Sequence, residues 1–199
     1  YEKQKQANQL ERILSDHNQL NKAALKENAL QSLVKCLGVL IKERIFYFDS
    51  LCRFECSSTS GEEILEPLTN WLRKQDKRKM SSSDLYPIQI NEYPYGYALS
   101  IESSFGTAGY LVVEMRESKT DVVKQLVIKH AVSLIAMERL KFQEQTKHAR
   151  EEKGAILKEL LNHNLTADVQ SSLVKYGMPV TGQYCFLSVN SFLGRITEL

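Results

Sequence analysis

The segment YALSIESSFGTAGYLVVEM, residues 97–115, indicates the fold most directly. Apolar residues at alternate positions from Tyr97 to Ile101 have the period of a partly buried β-strand. Residues 109–115 are apolar and β-branched, and the polar stretch around Gly106 joins the two runs as a hairpin. Because consecutive hairpin strands pair antiparallel, the segment predicts an antiparallel sheet.

Further strands and helices are predicted around this segment. The run IFYF at 45–48 is continuously apolar, as in a strand buried on both faces, and the stretch 51–56 can pair with it through a tight turn. Apolar residues also alternate with polar ones over 86–90. Helical spacing precedes and follows the strands, over 29–41 and from about 120 onward. We therefore predict an α+β fold with helices on one face of an antiparallel sheet.

The composition excludes several classes of protein. Of 199 residues, 43% are hydrophobic and 25% charged, so disorder is excluded as the dominant state. The net charge is +2, from 26 basic and 24 acidic residues, without the basic surplus of a DNA-binding surface. No uncharged apolar run approaches the roughly 20 residues of a membrane helix, so no membrane partner is predicted. The chain starts at Tyr1, and we expect it to be part of a longer protein.

The cysteines favour a reducing compartment. Cys36, Cys52, Cys56 and Cys185 form no CxxC pair, which argues against a zinc ribbon or a thioredoxin-type site. Cys52 and Cys56 are four residues apart on a predicted strand, so we expect them on the same face. Without a signal peptide, reduced and buried thiols in a cytoplasmic protein are the simplest interpretation.

Two helices, over about 2–27 and 120–153, carry residues at the spacing of a coiled-coil seam. We predict that these helices pair across a two-fold axis in a homodimer. The alternative is that a single helix lies on a neighbouring domain. The predicted seam consists of Leu10, Ile13, His17, Leu20 and Ala24 in the first helix, and Val123, His130 and Met137 in the second.

No catalytic constellation is found in the sequence. The four histidines are far apart, without HExxH or His-x₃-His spacing, so no metal site is predicted. The GxSxG nucleophile elbow is missing, and the stretch Gly106–Gly109 lacks the lysine and spacing of a phosphate loop. We therefore predict that the protein is not an enzyme and holds no cofactor.

A tyrosine-rich stretch is the candidate ligand-binding site. Tyr86, Tyr93, Tyr95 and Tyr97 lie within twelve residues, and each offers a flat stacking face and a hydroxyl group. A planar heterocycle would suit these side chains, and Arg53 faces either the same cavity or solvent. The alternative is that these tyrosines pack a turn against the core.

The order of these elements resembles GAF-type sensory domains, in which paired helices link modules and carry the signal. More specifically, the chain resembles the purine-catabolism regulator (PucR) family of bacterial transcription factors. That family has a GAF-like domain, a charged helix, a leucine-rich turn, a helix ending at glycine, and then a proline and the first strand of a degenerate GGDEF-like module. The resemblance is carried by ALQSLVKCLGVLIKERIFYFDS (29–50), YALSIESSFGTAGYLVVEM (97–115) and HAREEKGAILKELLNHNLTADVQSSLVKYGMPVTGQYCFLSVN (148–190), with Leu160, Leu161, Gly177, Pro179 and Val189 at the pattern positions of the last segment.

This resemblance implies a division of the chain into four parts. Residues 1–28 would be a linker or coiled-coil helix, 29–141 a GAF-like domain, 142–155 a helical linker and 156–199 the start of a truncated GGDEF-like module. The chain departs from the family at Ser100-Ile101, where the family often has Pro-Ile.

The resemblance also implies a function. The chain would be the sensory and dimerisation segment of a bacterial transcription regulator, which senses a small-molecule effector and relays the signal through paired helices. DNA would be contacted only by a C-terminal domain outside these residues. The alternative is a GAF sensor module of another signalling protein, such as a histidine kinase or cyclase, although residues 156–190 do not continue as a phosphotransfer helix.

Overall fold

A computed structural model describes residues 2–76, 80, 84–104, 106–115, 121–162, 166–175 and 177, without the side chains of 2–6 and 62. The chain divides into two compact units, residues 1–145 and 146–199, with the boundary inside the predicted linker. Several predictions lie outside the described residues: the strand that begins at Tyr184, the pattern positions Pro179 and Val189, and Cys185.

The first unit contains a five-stranded antiparallel sheet with strand order β2-β1-β5-β4-β3. The predicted α+β class is confirmed, and the arrangement is consistent with a GAF-like layout. The strands are β1 (Arg44–Asp49), β2 (Phe54–Ser57), β3 (Tyr86–Ile90), β4 (Tyr93–Ser103) and β5 (Gly106–Glu114). The helices are α1 (Glu2–Ala24), α2 (Ala29–Ile41), α3 (Leu65–Lys74), α4 (Val122–Leu161) and α5 (Ala167–Lys175), with a 3-10 turn at Glu62–Ile64.

Helices cover both faces of the sheet, whereas the sequence predicted helices on one face only. The side chains of Ile45 and Tyr47 in β1 pack with α1, α2 and the start of α4. Those of Phe46 and Phe48 point the other way and pack with α3. Alternating side chains of one strand therefore belong to two separate cores, which we call the helix-pair layer and the α3 layer. A continuous apolar run such as 45–48 is what burial on both faces requires.

Helix α3 starts without a side-chain cap. It begins after the 3-10 turn, with Ile64 at the N-cap position. Pro67 lies in the first turn of α3, where its missing N–H costs no helical hydrogen bond.

The turn between β1 and β2 is fixed by one buried carboxylate. Asp49 Oδ1 accepts hydrogen bonds from the backbone N–H groups of Leu51 (2.9 Å) and Arg53 (2.8 Å), and Oδ2 accepts one from Arg53 Nε at 2.6 Å. Burial raises the pKa of Asp49, but the hydrogen bonds from Arg53 and Leu51 outweigh it and hold the pKa below its ordinary value.

The prediction that Cys52 and Cys56 share a face is wrong. Cys52 lies in the turn with φ 58° and packs in the α3 layer, whereas Cys56 is in β2 and packs in the helix-pair layer.

The edge hairpin of β3 and β4 closes through a two-residue turn. Ile90 pairs with Tyr93, and the residues between them, Asn91 and Glu92, have φ of 51° and 69°. Positive φ at both positions is the geometry of a type I′ turn, whose twist matches that of the paired strands. Strand β4 therefore starts at Tyr93, and the tyrosines at 93, 95 and 97 all lie in it.

The second unit has a small core of its own. Ile156 and Leu160 of α4 pack with Val169 and Leu173 of α5. Thr166 caps α5, because its Oγ1 accepts a hydrogen bond from the Val169 N–H at 3.4 Å. Helix α4 continues through Gly154 without a break.

Across the described ranges, none of the helices has the combination of length and hydropathy that a membrane-spanning helix needs.

We predict that Gly109→Ala strongly destabilises the first unit. A Cβ atom at this position in β5 would overlap the backbone oxygen of Phe48 and lie 2.7 Å from Tyr47 Cζ. Tyr47 cannot turn away freely, because it is buried and its hydroxyl donates to the Ala108 carbonyl at 3.0 Å. We expect a loss of about 2 kcal/mol or more in the free energy of unfolding, as for overpacked cores.

Urea unfolding followed by tryptophan fluorescence measures this effect in the first unit alone, since Trp71 is the single tryptophan of the chain. The control is Gly154→Ala, at a helical position in the second unit where a Cβ meets nothing within 4 Å. It should leave the Trp71 transition unchanged. A Gly109→Ala variant with an unchanged transition would contradict the close approach of β1 and β5.

Candidate functional site

The structure does not bring the five predicted ligand-binding residues together. Tyr86 and Tyr95 pack in the α3 layer, whereas Tyr97 packs in the helix-pair layer on the opposite face of the sheet. Tyr93 is 76% exposed beside the edge turn. Arg53 lies in the turn after β1 and pairs with Asp49 at 2.6 Å. The predicted site made of these residues is therefore wrong as a single cavity.

A β-bulge explains why Tyr95 and Tyr97 lie on opposite faces of the sheet despite their two-residue spacing. Ile88 pairs with Gly96 and Gln89 pairs with Pro94, so Tyr95 is an extra residue on β4. A bulge of this kind reverses the alternation of side chains across it. Hence Tyr97 falls on the face opposite to the one that strict alternation from Tyr95 predicts.

A cleft of about 390 Å³ lies between α3 and the end of β3, next to Tyr86. The ring centroid of Trp71 is 6.0 Å from that of Tyr86, with the rings tilted by 51°. Leu68 and Leu72 on the other side of α3 are buried in the core, so the helix turns a mixed polar and aromatic face to the cleft. The lining residues are Glu66, Pro67, Asn70, Trp71 and Lys74 from α3, and Gln89, Ile90 and Asn91 from the edge hairpin.

The chemistry of this cleft suits binding of a small polar molecule with a flat part. The carboxamides of Asn70, Gln89 and Asn91 each offer both a donor and an acceptor. Trp71 offers an aromatic face, and Lys74 and Glu66 supply one charge of each sign. The eight lining residues include no histidine, thiol or hydroxyl group that could act as a nucleophile or its base.

A partly buried charge cluster lies at one end of the sheet, on the α3 face. The guanidinium of Arg44 in β1 binds Glu114 in β5 through Nε and, at 3.0 Å, through Nη2. The hydroxyl of Tyr95 donates to the same carboxylate at 3.1 Å. The hydrogen bond to Glu114 raises the pKa of Arg44 above its ordinary value. The role of Tyr95 is thus to satisfy a buried carboxylate, which uses the hydroxyl that a ligand would need.

A second cleft, of about 380 Å³, lies where the α1–α2 turn, β2 and α4 meet. Arg139 of α4 crosses it and donates from Nη1 and Nη2 to the two carboxylate oxygens of Glu55, each at 3.0 Å. The guanidinium carbon is 5.7 Å from the ring centre of Tyr47 and 5.2 Å from that of Phe142. This residue therefore joins α4 to the sheet through a fork-shaped ion pair and two aromatic contacts.

The thiol of Cys56, which lines this cleft, is not activated as a nucleophile. Burial raises the pKa of Cys56 to about 12, so the thiol stays protonated near neutral pH and is a poor nucleophile. Burial also raises the pKa of Tyr47 far above neutral pH. Among the described cysteines, Cys36, Cys52 and Cys56 form no disulfide.

The predicted dimer seam is largely used within one chain. The rings of His17 in α1 and His130 in α4 stack with centroids 4.0 Å apart and an interplanar angle of 11°. Leu20 is fully buried in the helix-pair layer, and Ala24 packs against it. Leu20 therefore cannot face a second chain as it stands, and His17, His130 and Ala24 are only partly exposed. Of the other seam residues, Ile13 and Val123 are half-buried, and Leu10 and Met137 are 59% and 66% exposed.

Sequence reasoning missed Arg139, Trp71 and the Arg44–Glu114 pair as site residues. The side of α3 that lines the cleft had a signal, since Glu66, Asn70 and Lys74 recur at four-residue spacing beside Trp71. The ion pairs had none, because each joins residues at least 70 positions apart in the chain.

A scan against protein-family models finds no match for this chain, and a search of curated proteins finds none either.

We predict that the Glu55–Arg139 pair stabilises the first unit by about 1 kcal/mol of coupling energy, measured by a double-mutant cycle with Glu55→Gln and Arg139→Gln. Both side chains are largely buried, at 29% and 18% exposure, and the contact is bidentate. The control is the Glu43–Lys124 pair, which has similar exposure but a single contact of 2.9 Å. Its coupling should be clearly smaller, and equal couplings would show that the fork geometry adds nothing.

Proposed function

We propose that this chain is the sensory and dimerisation segment of a bacterial transcription regulator. In this proposal a small-molecule effector binds the first unit, and the signal passes along paired helices to a DNA-binding domain elsewhere in the parent protein. The chain itself acts by binding and not by catalysis. The observation that carries the proposal is the position of a helix pair and a ligand-sized cleft on opposite faces of one sheet.

Helices α1 and α4, which we call the helix pair, support a relay role. His17 contacts His130, and further along both helices the turn after α1, at Glu27, lines the same cleft as Arg139 and Phe142. Contacts that advance together along both helices mean that α1 and α4 run side by side in the same direction. One helix leads into the sheet and the other leads away from it, so a shift of the sheet displaces both.

The strands supply a physical link from the cleft to the helix pair. In β1, Phe46 and Phe48 contact the layer that contains α3, and Ile45 and Tyr47 contact the helix-pair layer. Arg139 adds a direct link from α4 to β2 through Glu55. An effector that binds one arrangement of α3 more tightly than another would shift the population of helix arrangements by that difference in affinity.

We predict that a small planar molecule binds the α3–β3 cleft and changes the fluorescence of Trp71. A thermal-shift screen of purines, ureides, amino acids and nucleotides identifies the compound, and fluorescence titration gives its dissociation constant. Asn70→Ala should raise this constant about tenfold, because it removes one hydrogen-bonding group from the ligand.

The matched control is Asn28→Ala, which changes a carboxamide in the other cleft. It should leave the dissociation constant unchanged. The reverse pattern, with loss of affinity only in Asn28→Ala, would place the effector at the Arg139 cleft. Absence of stabilisation by every class of compound would contradict the sensory role.

We predict that the chain is a dimer at tens of micromolar by multi-angle light scattering. We expect the exposed seam residues Leu10 and Met137 to lie in the dimer interface. A glutamate at either position would bury a charge without a partner there, so Leu10→Glu and Met137→Glu should each shift the chain toward monomer. Leu25→Glu is the control, because Leu25 is 88% exposed in the turn after α1. A monomeric unmodified chain would contradict the dimerisation role and leave the ligand test intact.

A further inference from the structure

The stacked rings of His17 and His130 join α1 to α4, and we call these residues the histidine pair. Their parallel rings at 4.0 Å are an arrangement that two neutral imidazoles adopt readily. His130 Nε2 lies 3.1 Å from Asn21 Oδ1. Because a carboxamide oxygen only accepts, His130 donates from Nε2, and this hydrogen bond ties α4 to α1 a second time.

The His17 ring, in contrast, has a nitrogen that makes no hydrogen bond. His17 Nε2 is fully buried and has no hydrogen-bond partner. In the neutral ring this nitrogen can be the unprotonated one, which carries no N–H to satisfy. Protonation of the partly buried His130 ring, which stacks on His17, would place a positive charge between the two helices, where burial disfavours it.

The surroundings of the histidine pair contain no carboxylate that would compensate such a charge on the same helix faces. The positions three and four residues away on α1 and α4 share the face of each histidine. They are occupied by Ile13, Leu14, Leu20 and Asn21 on α1, and by Leu126, Val127, Ser133 and Leu134 on α4. None of these side chains titrates.

The neighbouring elements do not supply a compensating charge either. The carboxylate of Asp16, the residue before His17, is buried and already has a cation on its own helix, with Arg12 Nε 4.0 Å from Asp16 Oδ2. From the sheet, the titratable side chains in this layer are Tyr47, Cys56 and Tyr97, none of which is a carboxylate. Burial raises the pKa of Tyr47 and Cys56 far above neutral pH. The Arg139 guanidinium is already engaged by Glu55.

We propose that the histidine pair is a pH-sensitive contact, which holds α1 against α4 while His130 is neutral and releases α1 from α4 when His130 is protonated. Release is local, because the sheet and α2 keep their own contacts. This inference concerns the packing of α1 on α4 and does not depend on the sensory role proposed above. It makes mild acidification a second input to the helix pair, separate from any small-molecule effector.

The direction of the titration agrees with this geometry. Burial, and then the charge of His17, lower the pKa of His130 below its ordinary value of 6.5. A folded-state pKa below the unfolded one means that the unfolded or released state binds more protons. The stabilising contribution is therefore fully present above pH 6.5 and is lost as the pH falls through the lowered pKa.

Hydrogen exchange of backbone amides tests the proposal at about pH 7.5 and about pH 5.5, after correction for intrinsic exchange rates. We expect the protection of residues 14–24 in α1 to fall about tenfold more than that of β5 between the two values. His130→Gln and His17→Gln should each abolish this selective loss. His148→Gln, which removes a histidine that is 84% exposed, should keep it.

The proposal is overturned if α1 and β5 lose protection in parallel, or if the selective loss persists in both glutamine variants. Should either variant not fold, an NMR titration of the unmodified chain gives the same decision. A His130 ring that titrates below 6.5 together with shifts of α1 amides supports the proposal. A midpoint at or above that value, or a titration without α1 shifts, overturns it.

Discussion

The first unit depends on the burial of β1 and β5 on both faces. In each strand, successive side chains enter different cores, so neither layer of helices can be removed without exposing half of the sheet. Each large apolar side chain that is fully buried there, such as Phe46 or Leu111, contributes roughly 1.5–3 kcal/mol. The same burial limits backbone distances: Gly109 leaves room for the Tyr47 ring and its hydrogen bond to Ala108, and a larger residue would push the two strands apart.

This constraint also determines where polar groups can be placed. Within the first unit the charged pairs lie at the borders of the two cores. Arg44–Glu114 lies at the end of β1 and β5, and Glu55–Arg139 lies where β2 meets α4. A charge placed deeper would be desolvated without enough partners. The two clefts consequently lie at the rims of the layers, between α3 and β3 and at the α1–α2 turn.

The elements were predictable from the sequence to the extent that they depend on local periodicity. The run 45–48, the hairpin around Gly106 and the apolar face of α2 each follow from the spacing of apolar residues. The second layer of helices was missed, because burial on both faces says that something covers the strand but not which element does. The grouping of the tyrosines failed for a related reason: one extra residue in β4 reverses the alternation on which that grouping relied. Long-range pairs such as Glu55–Arg139 leave no local pattern at all.

The predicted dimer seam shows what heptad spacing does and does not predict. The spacing of Leu10, His17 and Ala24 predicts a helix that packs against another helix, but it does not indicate whether the partner helix is in the same chain. Here α4 takes that place, with His130 opposite His17 and Met137 one heptad further on. A homodimer of this chain must therefore use the outer sides of an existing helix pair, so that two chains would form a four-helix contact. In such an assembly any change in the packing of α1 on α4 alters the surface that each chain presents to the other, which joins the internal contact to the state of the dimer.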